Sequence, residues 1–157
     1  ALLHDVGYHI SYDKHHKHSY HLILHAELLG MSPEEQVAVA NIARYHRGAA
    51  PKKKHRNFGS LDKRLRDRIV RLSAILRVAD GFDRGHVGAV ERVRARMTPA
   101  ALRLAPTPAI PEASLRLELW GASRKSALLE EVLGVPIHIV GPNGEVVRYA
   151  DEEGEAD

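Results

Sequence analysis

The chain has 157 residues, 44% of them hydrophobic and 27% charged, with a formal net charge of +3. That length and apolar content describe one ordinary domain, or one domain with a small appendage, able to bury a core. No apolar run approaches eighteen residues and there is no cysteine, so a membrane-spanning helix and a disulfide framework are excluded. No secretory signal pattern opens the chain, and the cytoplasm is the expected compartment. The chain opens without Met, inside an apolar helical run, and reads as a fragment whose N-terminal part is absent.

Charge is uneven. Between Arg44 and Arg71, eleven Lys or Arg residues stand against only Asp62 and Asp67. Arg44, Arg47, Lys52, Lys53, Lys54 and Arg56 form the densest part, and suggest a polyanionic partner such as a nucleotide, polyphosphate, nucleic acid or lipid headgroups. A solvated helix face and a charged loop fit the same residues. The last seven residues carry five acids and read as an acidic tail.

Residues 1–6 read as the end of a helix, with Gly7 as its stop. Residues 8–14 are a loop. A second helix starts at His15 or His16 and runs to Leu29, where Gly30 ends it. Leu22, Leu24, Leu28 and Leu29 form its apolar stripe, and His18, Leu22, His25 and Leu29 share one face. Ser32-Pro33-Glu34-Glu35 is a helix start with a capping box, and that helix runs to about Arg47. Val39, Ile42, Ala43 and His46 follow at i, i+3, i+4 and i+7, so His46 continues a buried stripe. Residues 49–59 are a basic loop. A long helix from about Leu61 to Phe82 carries Leu61, Leu65, Ile69, Leu72 and Leu76 on one face, which then presents Asp80 and Asp83. A carboxylate on such a stripe calls for a partner or a metal ion.

After Gly88 the period changes from helical to alternating. Val93 to Met97, Leu102 to Leu104 and Leu115 to Leu119 read as strands of an antiparallel sheet, with Pro106, Pro108 and Pro111 marking a loop. A helix spans residues 123–133, stopped by Gly134; strands follow at 136–140 and 146–149. The expected fold class is therefore mostly α with a small α+β part. A helical bundle covers residues 1–87, a small antiparallel sheet with one helix covers 88–150, and the acidic tail covers 151–157.

His4-Asp5, His18, His46 and Asp80 come from four expected helices, and two of them lie on otherwise apolar stripes. Imidazole and carboxylate donors together suit divalent ions bound near phosphate. The set resembles the HD superfamily, in which helices bring an upstream His, a His-Asp pair and a distant Asp to one metal. Four stretches sharpen the resemblance: His4-Asp5-Val6-Gly7-Tyr8-His9-Ile10, His16-Lys17-His18-Ser19, Ala43-Arg44-Tyr45-His46-Arg47 and Leu76-Arg77-Val78-Ala79-Asp80-Gly81-Phe82-Asp83-Arg84. Together they resemble the C-terminal half of the exopolyphosphatase / guanosine pentaphosphate phosphohydrolase family, an HD-like helical domain followed by a small α+β domain.

The resemblance implies His4, Asp5 and Asp80 as ligands of a divalent metal (Mg, Mn or a transition metal). It implies His18 and His46 as second-metal or phosphate-facing residues. It also implies absent N-terminal domains of actin-like ATPase fold, which hold the family's exopolyphosphatase site, and an absent upstream His. The intact protein would remove terminal phosphate from inorganic polyphosphate or guanosine pentaphosphate, with this part as an accessory domain. Two other roles fit the residues. One is a metal-dependent phosphohydrolase acting on a nucleotide or alarmone in its own right. The other is a non-catalytic module for polyanion binding or homodimer formation. No motif for specific nucleic-acid recognition is visible, and the chain has two Phe and one Trp to stack on bases.

Overall fold

The computed structural model describes residues 1–147. It divides into two compact units, Ala1–Leu76 and Arg77–Asp157. The fold class is the expected one: a helical part and a small α+β part.

The first unit opens with a single 3-10 turn, Val6–His9, rather than an α-helical end. Gly7 lies inside that turn and is buried. Its lack of a side chain is a packing requirement. A Cβ there would lie 2.1 Å from the His15 carbonyl oxygen and 2.6 Å from the Ser19 amide nitrogen. The turn can therefore rest directly on helix α1, His15–His25, and the Gly7 amide donates to Ser19 Oγ at 2.9 Å.

Helix α1 is shorter than its leucines suggest, and it buries another face. His15, Ser19 and Ile23 point inward at i, i+4 and i+8, whereas Leu29 is 99% exposed beyond the helix end. Tight approach to the 3-10 turn selects the face with a small Ser19, and leucine hydrophobicity does not outweigh it.

Helix α2, Pro33–Arg44, starts with the expected capping box. Ser32 Oγ accepts from the Glu35 amide, and Glu35 Oε2 accepts from the Ser32 amide at 2.9 Å. Two otherwise orphaned donors are satisfied, which is worth roughly 0.5–2 kcal/mol. Ala38, Ala40, Asn41 and Ala43 form its buried face. The basic loop contains a short helix α3, Arg56–Gly59, whose Phe58 plugs a core of Ala38, Tyr45, Leu65 and Ile69. Fully burying a side chain such as Ile69 contributes about 1.5–3 kcal/mol.

Helix α4, Lys63–Gly81, is the long helix of the sequence reading. Its buried face runs Leu65, Ile69, Ser73 and Leu76, while Leu72 is 42% exposed. The buried arc is centred on the Ile69 side of the stripe, toward Ser73, and Leu72 falls at its border. Among the described residues no helix is long and apolar enough to cross a membrane.

The second unit contains a four-stranded sheet in the order β1-β2-β3-β4: β1 Val90–Met97, β2 Leu102–Pro108, β3 Ile137–Val140 and β4 Val146–Val147. The β1/β2 and β3/β4 pairs are antiparallel, but β2 and β3 run parallel, so the sheet is mixed. The parallel pair is joined by two helices, α5 Arg116–Arg124 and α6 Ala127–Leu133, in place of the one helix expected. Such a connection needs helices to carry the chain back along the sheet.

Leu115 to Leu119 belongs to the start of α5, not to a strand. Leu115, Leu119 and Ala122 are buried at i, i+4 and i+7, and Leu117 is exposed. The alternation was real, but the helical period in the same residues matches the buried face, and Leu favours a helix. Pro106 and Pro108 sit in β2 instead of a loop. They lie past Leu104, where pairing with β3 ends, so that side of β2 requires no amide donor from them. Gly134 does end α6, with φ +68. The expected strand at 146–149 is seen as Val146–Val147; its last residues and the acidic tail lie outside the described residues.

Replacing Gly7 by Ala forces a Cβ into the backbone of α1. Denaturant unfolding of Gly7→Ala is expected to show a loss of about 1–3 kcal/mol, typical of overpacking against a part that cannot yield.

Candidate metal centre

Three histidines of the first unit are oriented by one local device. His4 Nδ1 meets the Ala1 carbonyl at 2.6 Å, His15 Nδ1 the Tyr12 carbonyl at 3.1 Å, and His46 Nδ1 the Ala43 carbonyl at 2.6 Å. A carbonyl oxygen only accepts, so each Nδ1 carries the proton and each Nε2 has a lone pair able to bind a metal ion. Each bond spans three residues, so a helical or turn-like backbone supplies it locally. This is the outer-shell arrangement that fixes ring orientation in metal-binding histidines.

The Nε2 atoms converge on Asp5. His15 Nε2 lies 3.2 Å from His46 Nε2, and these atoms stand 3.3 and 3.5 Å from Asp5 Oδ1. His4 Nε2 is 3.3 Å from the other carboxylate oxygen, Oδ2. Asp5 Oδ1 is buried and accepts no hydrogen bond. His15 and His46 are buried, at 2% and 1% exposure. The ligand atoms of Asp5, His15 and His46 lie close enough together to hold one metal ion. Two imidazole nitrogens facing each other beside a carboxylate oxygen require positive charge between them, from a metal ion or a shared proton.

The triangle fits an ion. Ligand atoms about 2.1 Å from a four-coordinate centre stand about 3.4 Å from one another. The observed edges of 3.2, 3.3 and 3.5 Å bracket that value.

Aromatic rings pack the cluster. Tyr8 stacks on His15 with ring centroids 4.2 Å apart, and His4 meets His46 edge-on at 4.9 Å. His16 is next to the cluster, 6.4 Å from His46 between ring centroids, and its Nδ1 is buried without a hydrogen-bond partner. Burial, reinforced by His15, Lys17, Arg44 and Arg47, depresses the His16 pKa to about 4, so this ring is neutral at pH 7.

Of the residues singled out in the sequence, His4, Asp5 and His46 come together. His15 completes the set, and the sequence reading passed over it. A signal was present: His15, Ser19 and Ile23 form one helical face, and a small residue midway along it marks close packing. His18 is half-buried, three residues along α1, and is not part of the cluster.

Asp80 belongs to the second unit. Its side chain is 9% exposed, and its carboxylate is ion-paired with Lys125 Nζ. The partnered-carboxylate expectation is thus met by a lysine of α5's C-terminal edge. Burial lowers the Lys125 pKa and Asp80 opposes that shift. Asp83 is exposed.

The basic residues split into two kinds. Lys52, Lys53, Lys54 and Arg56 are exposed on a loop tied at its base. The Lys52 amide donates to His55 Nδ1, His55 stacks on Tyr45, and Asn57 Nδ2 donates to Asn41 Oδ1 at 2.7 Å. Arg44 and Arg47 are half-buried and packed on rings, Arg44 over Tyr20 and Tyr45 and Arg47 over Tyr12.

The family model for Ppx/GppA phosphatase, domain III, matches residues 1–105. The match covers all of the first unit and extends into β2. The chain belongs to the Ppx/GppA phosphatase family.

Metal titration checks the centre. Isothermal calorimetry with Mn²⁺ or Zn²⁺ is expected to show one site. Asp5→Ala, His15→Ala and His46→Ala should each weaken it by more than about tenfold, and His18→Ala should leave it unchanged. Mg²⁺ should bind more weakly than either, because it prefers all-oxygen ligands.

Proposed function

We propose that this chain is the metal- and polyanion-binding accessory part of an exopolyphosphatase-like phosphohydrolase. In this reading the first unit holds a divalent cation through Asp5, His15 and His46, with His4 beside them. The observation that carries it is the triangle of two Nε2 atoms and one buried, unbonded carboxylate oxygen. A bound divalent ion would supply Lewis-acid polarisation of a phosphate oxygen and neutralise phosphate charge. The chain's own residues orient the ligands through their Nδ1 protons, keep His16 neutral beside the site, and present Arg44 and Arg47 close to it.

The resemblance assigns Asp80 a metal-ligand role as well, and His18 a second-metal or phosphate-facing one. Both assignments belong to this proposal. For Asp80 the test is direct: calorimetry on Asp80→Ala, compared with Asp5→Ala, reports whether its carboxylate contributes. The exposed cations Lys52, Lys53, Lys54 and Arg56 would contact polyphosphate weakly, since charges at a surface are screened within about 10 Å at ~0.1 M salt. The intact protein would act on polyphosphate or guanosine pentaphosphate in the cytoplasm, with further N-terminal domains supplying the reaction site.

A phosphate-release assay tests the accessory role. The chain alone, given long-chain polyphosphate and Mn²⁺ or Mg²⁺, is expected to release no substantial phosphate. Release that disappears in Asp5→Ala and Asp80→Ala would instead make the cluster an enzyme centre, acting as a metal-dependent phosphohydrolase.

A further inference from the structure

The second unit carries a concentration of arginine outside every site described so far. Strand β1 is an edge strand, and Glu91 to Met97 are exposed. Side chains alternate between the faces of a strand, so Arg92, Arg94 and Arg96 share one face. The register extends that face across the sheet. Arg92 pairs with Thr107, Arg94 with Ala105 and Arg96 with Arg103, and Arg103 pairs with His138 of β3. The opposite face is the one that carries Leu104, Ile137 and Ile139 into the core. The arginines therefore stand on the solvent face.

We propose that Arg92, Arg94, Arg96 and Arg103 form a binding ladder for a linear inorganic polyphosphate chain. All four are exposed, and among the described residues none forms an ion pair with a carboxylate. Glu91, the acid in β1, lies at the irregularity between Val90 and Arg92 and has no register partner on β2. Alternate residues of a strand are about 6.8 Å apart, so Arg92 to Arg96 spans about 14 Å, and neighbouring strands place Arg103 about 4.8 Å from Arg96. The result is a row of like charges with one doubled end. A single phosphate meets one or two of them; an extended chain of phosphates meets all four.

Arginine suits the task. Its planar fork gives two parallel hydrogen bonds to phosphate oxygens and is less strongly hydrated than an ammonium group. Among the described residues the face carries no Phe, Tyr or Trp: its other members are Ala105, Thr107, His138, Val140 and Val146. Single-stranded nucleic-acid sites add aromatic rings on which bases stack. A polyanion without bases needs only the charges. Naming polyphosphate rests on the proposed function above, whereas the ladder itself rests on the register.

The test compares the 157-residue chain with an Arg92→Gln/Arg94→Gln/Arg96→Gln/Arg103→Gln variant, after circular dichroism confirms the same fold. A Lys52→Gln/Lys53→Gln/Lys54→Gln/Arg56→Gln variant removes the same charge elsewhere, and single Arg94→Gln covers the case in which the fourfold ladder variant does not fold. Binding of long-chain polyphosphate, pyrophosphate and an oligo-dT strand is measured by calorimetry between about 50 and 200 mM salt. The ladder variant is expected to bind long-chain polyphosphate about tenfold more weakly, with a salt slope shallower by about 3, as loss of four phosphate contacts implies. The loop variant should lose about twofold. Wild-type protein should bind pyrophosphate and oligo-dT more weakly than the long chain.

Ladder-variant affinity within about twofold of wild type would overturn the proposal and leave the arginines as guards of an exposed edge. Oligo-dT binding as tight as polyphosphate, and lost in the same variant, would also overturn it, in favour of nucleic acid. The ladder variant should keep wild-type Mn²⁺ binding by calorimetry, so failure of the metal site and failure of the ladder are separate results.

Discussion

The first unit depends on how closely the 3-10 turn approaches helix α1. Gly7 has no side chain, and the turn lies against the backbone at His15 and Ser19. That contact decides which face of α1 is buried, and so brings the His15 ring inward beside Asp5. Once there, the ring has little freedom. Its Nδ1 is held by Tyr12 O and its plane is stacked on Tyr8. A small residue in the turn thus sets the position of the His15 ring eight residues later, and the His46 ring meets it from the end of α2.

A second constraint concerns buried polarity. His15, His46, Ser19 and Asn41 are among the most buried side chains of the first unit. Polar groups in such places need partners, because an unsatisfied one costs about 1–3 kcal/mol. Ser19 receives the Gly7 amide, and Asn41 bridges Val37 O and Asn57. For Asp5 Oδ1 the neighbours are imidazole nitrogens, not donors of a completed hydrogen-bond set. In the second unit the Asp80 carboxylate has a cationic neighbour. Asp80 is answered by Lys125, an ordinary ion pair with both partners withdrawn from water.

Positive charge is distributed by a different logic in each unit. In the first, Arg44 and Arg47 lie over tyrosine rings close to the histidines, while the lysines of the basic loop face solvent. In the second, β1 carries arginine on one face and Val93, Ala95 and Met97 on the other, with Met97 54% exposed. Helices α5 and α6 pack on β3, which leaves β1 at the far edge of the sheet. Charges there cost little in water.

Much of this was legible in the sequence. The capping box at Ser32 and Glu35, the long helix α4, the glycine stop after α6, the strands β1 and β3 and the inward aim of His46 all follow from local rules of spacing and capping. The family resemblance followed from short stretches around His4, His46 and Asp80, and the family match agrees with it. What remained hidden was decided by packing between elements distant in the chain. Leucine spacing favoured the wrong face of α1, because it carries no information about a glycine turn arriving from outside. Period-two leucines at 115–119 pointed to a strand, because two periods coexist there and only the buried side distinguishes them. The parallel pairing of β2 with β3, and the convergence of His15 and His46 from residues thirty-one apart, have no local signature. Sequence determines which residues can form a helix, a strand or a ligand; which of their faces turn inward is a property of the partner surface, and only the tertiary structure decided it.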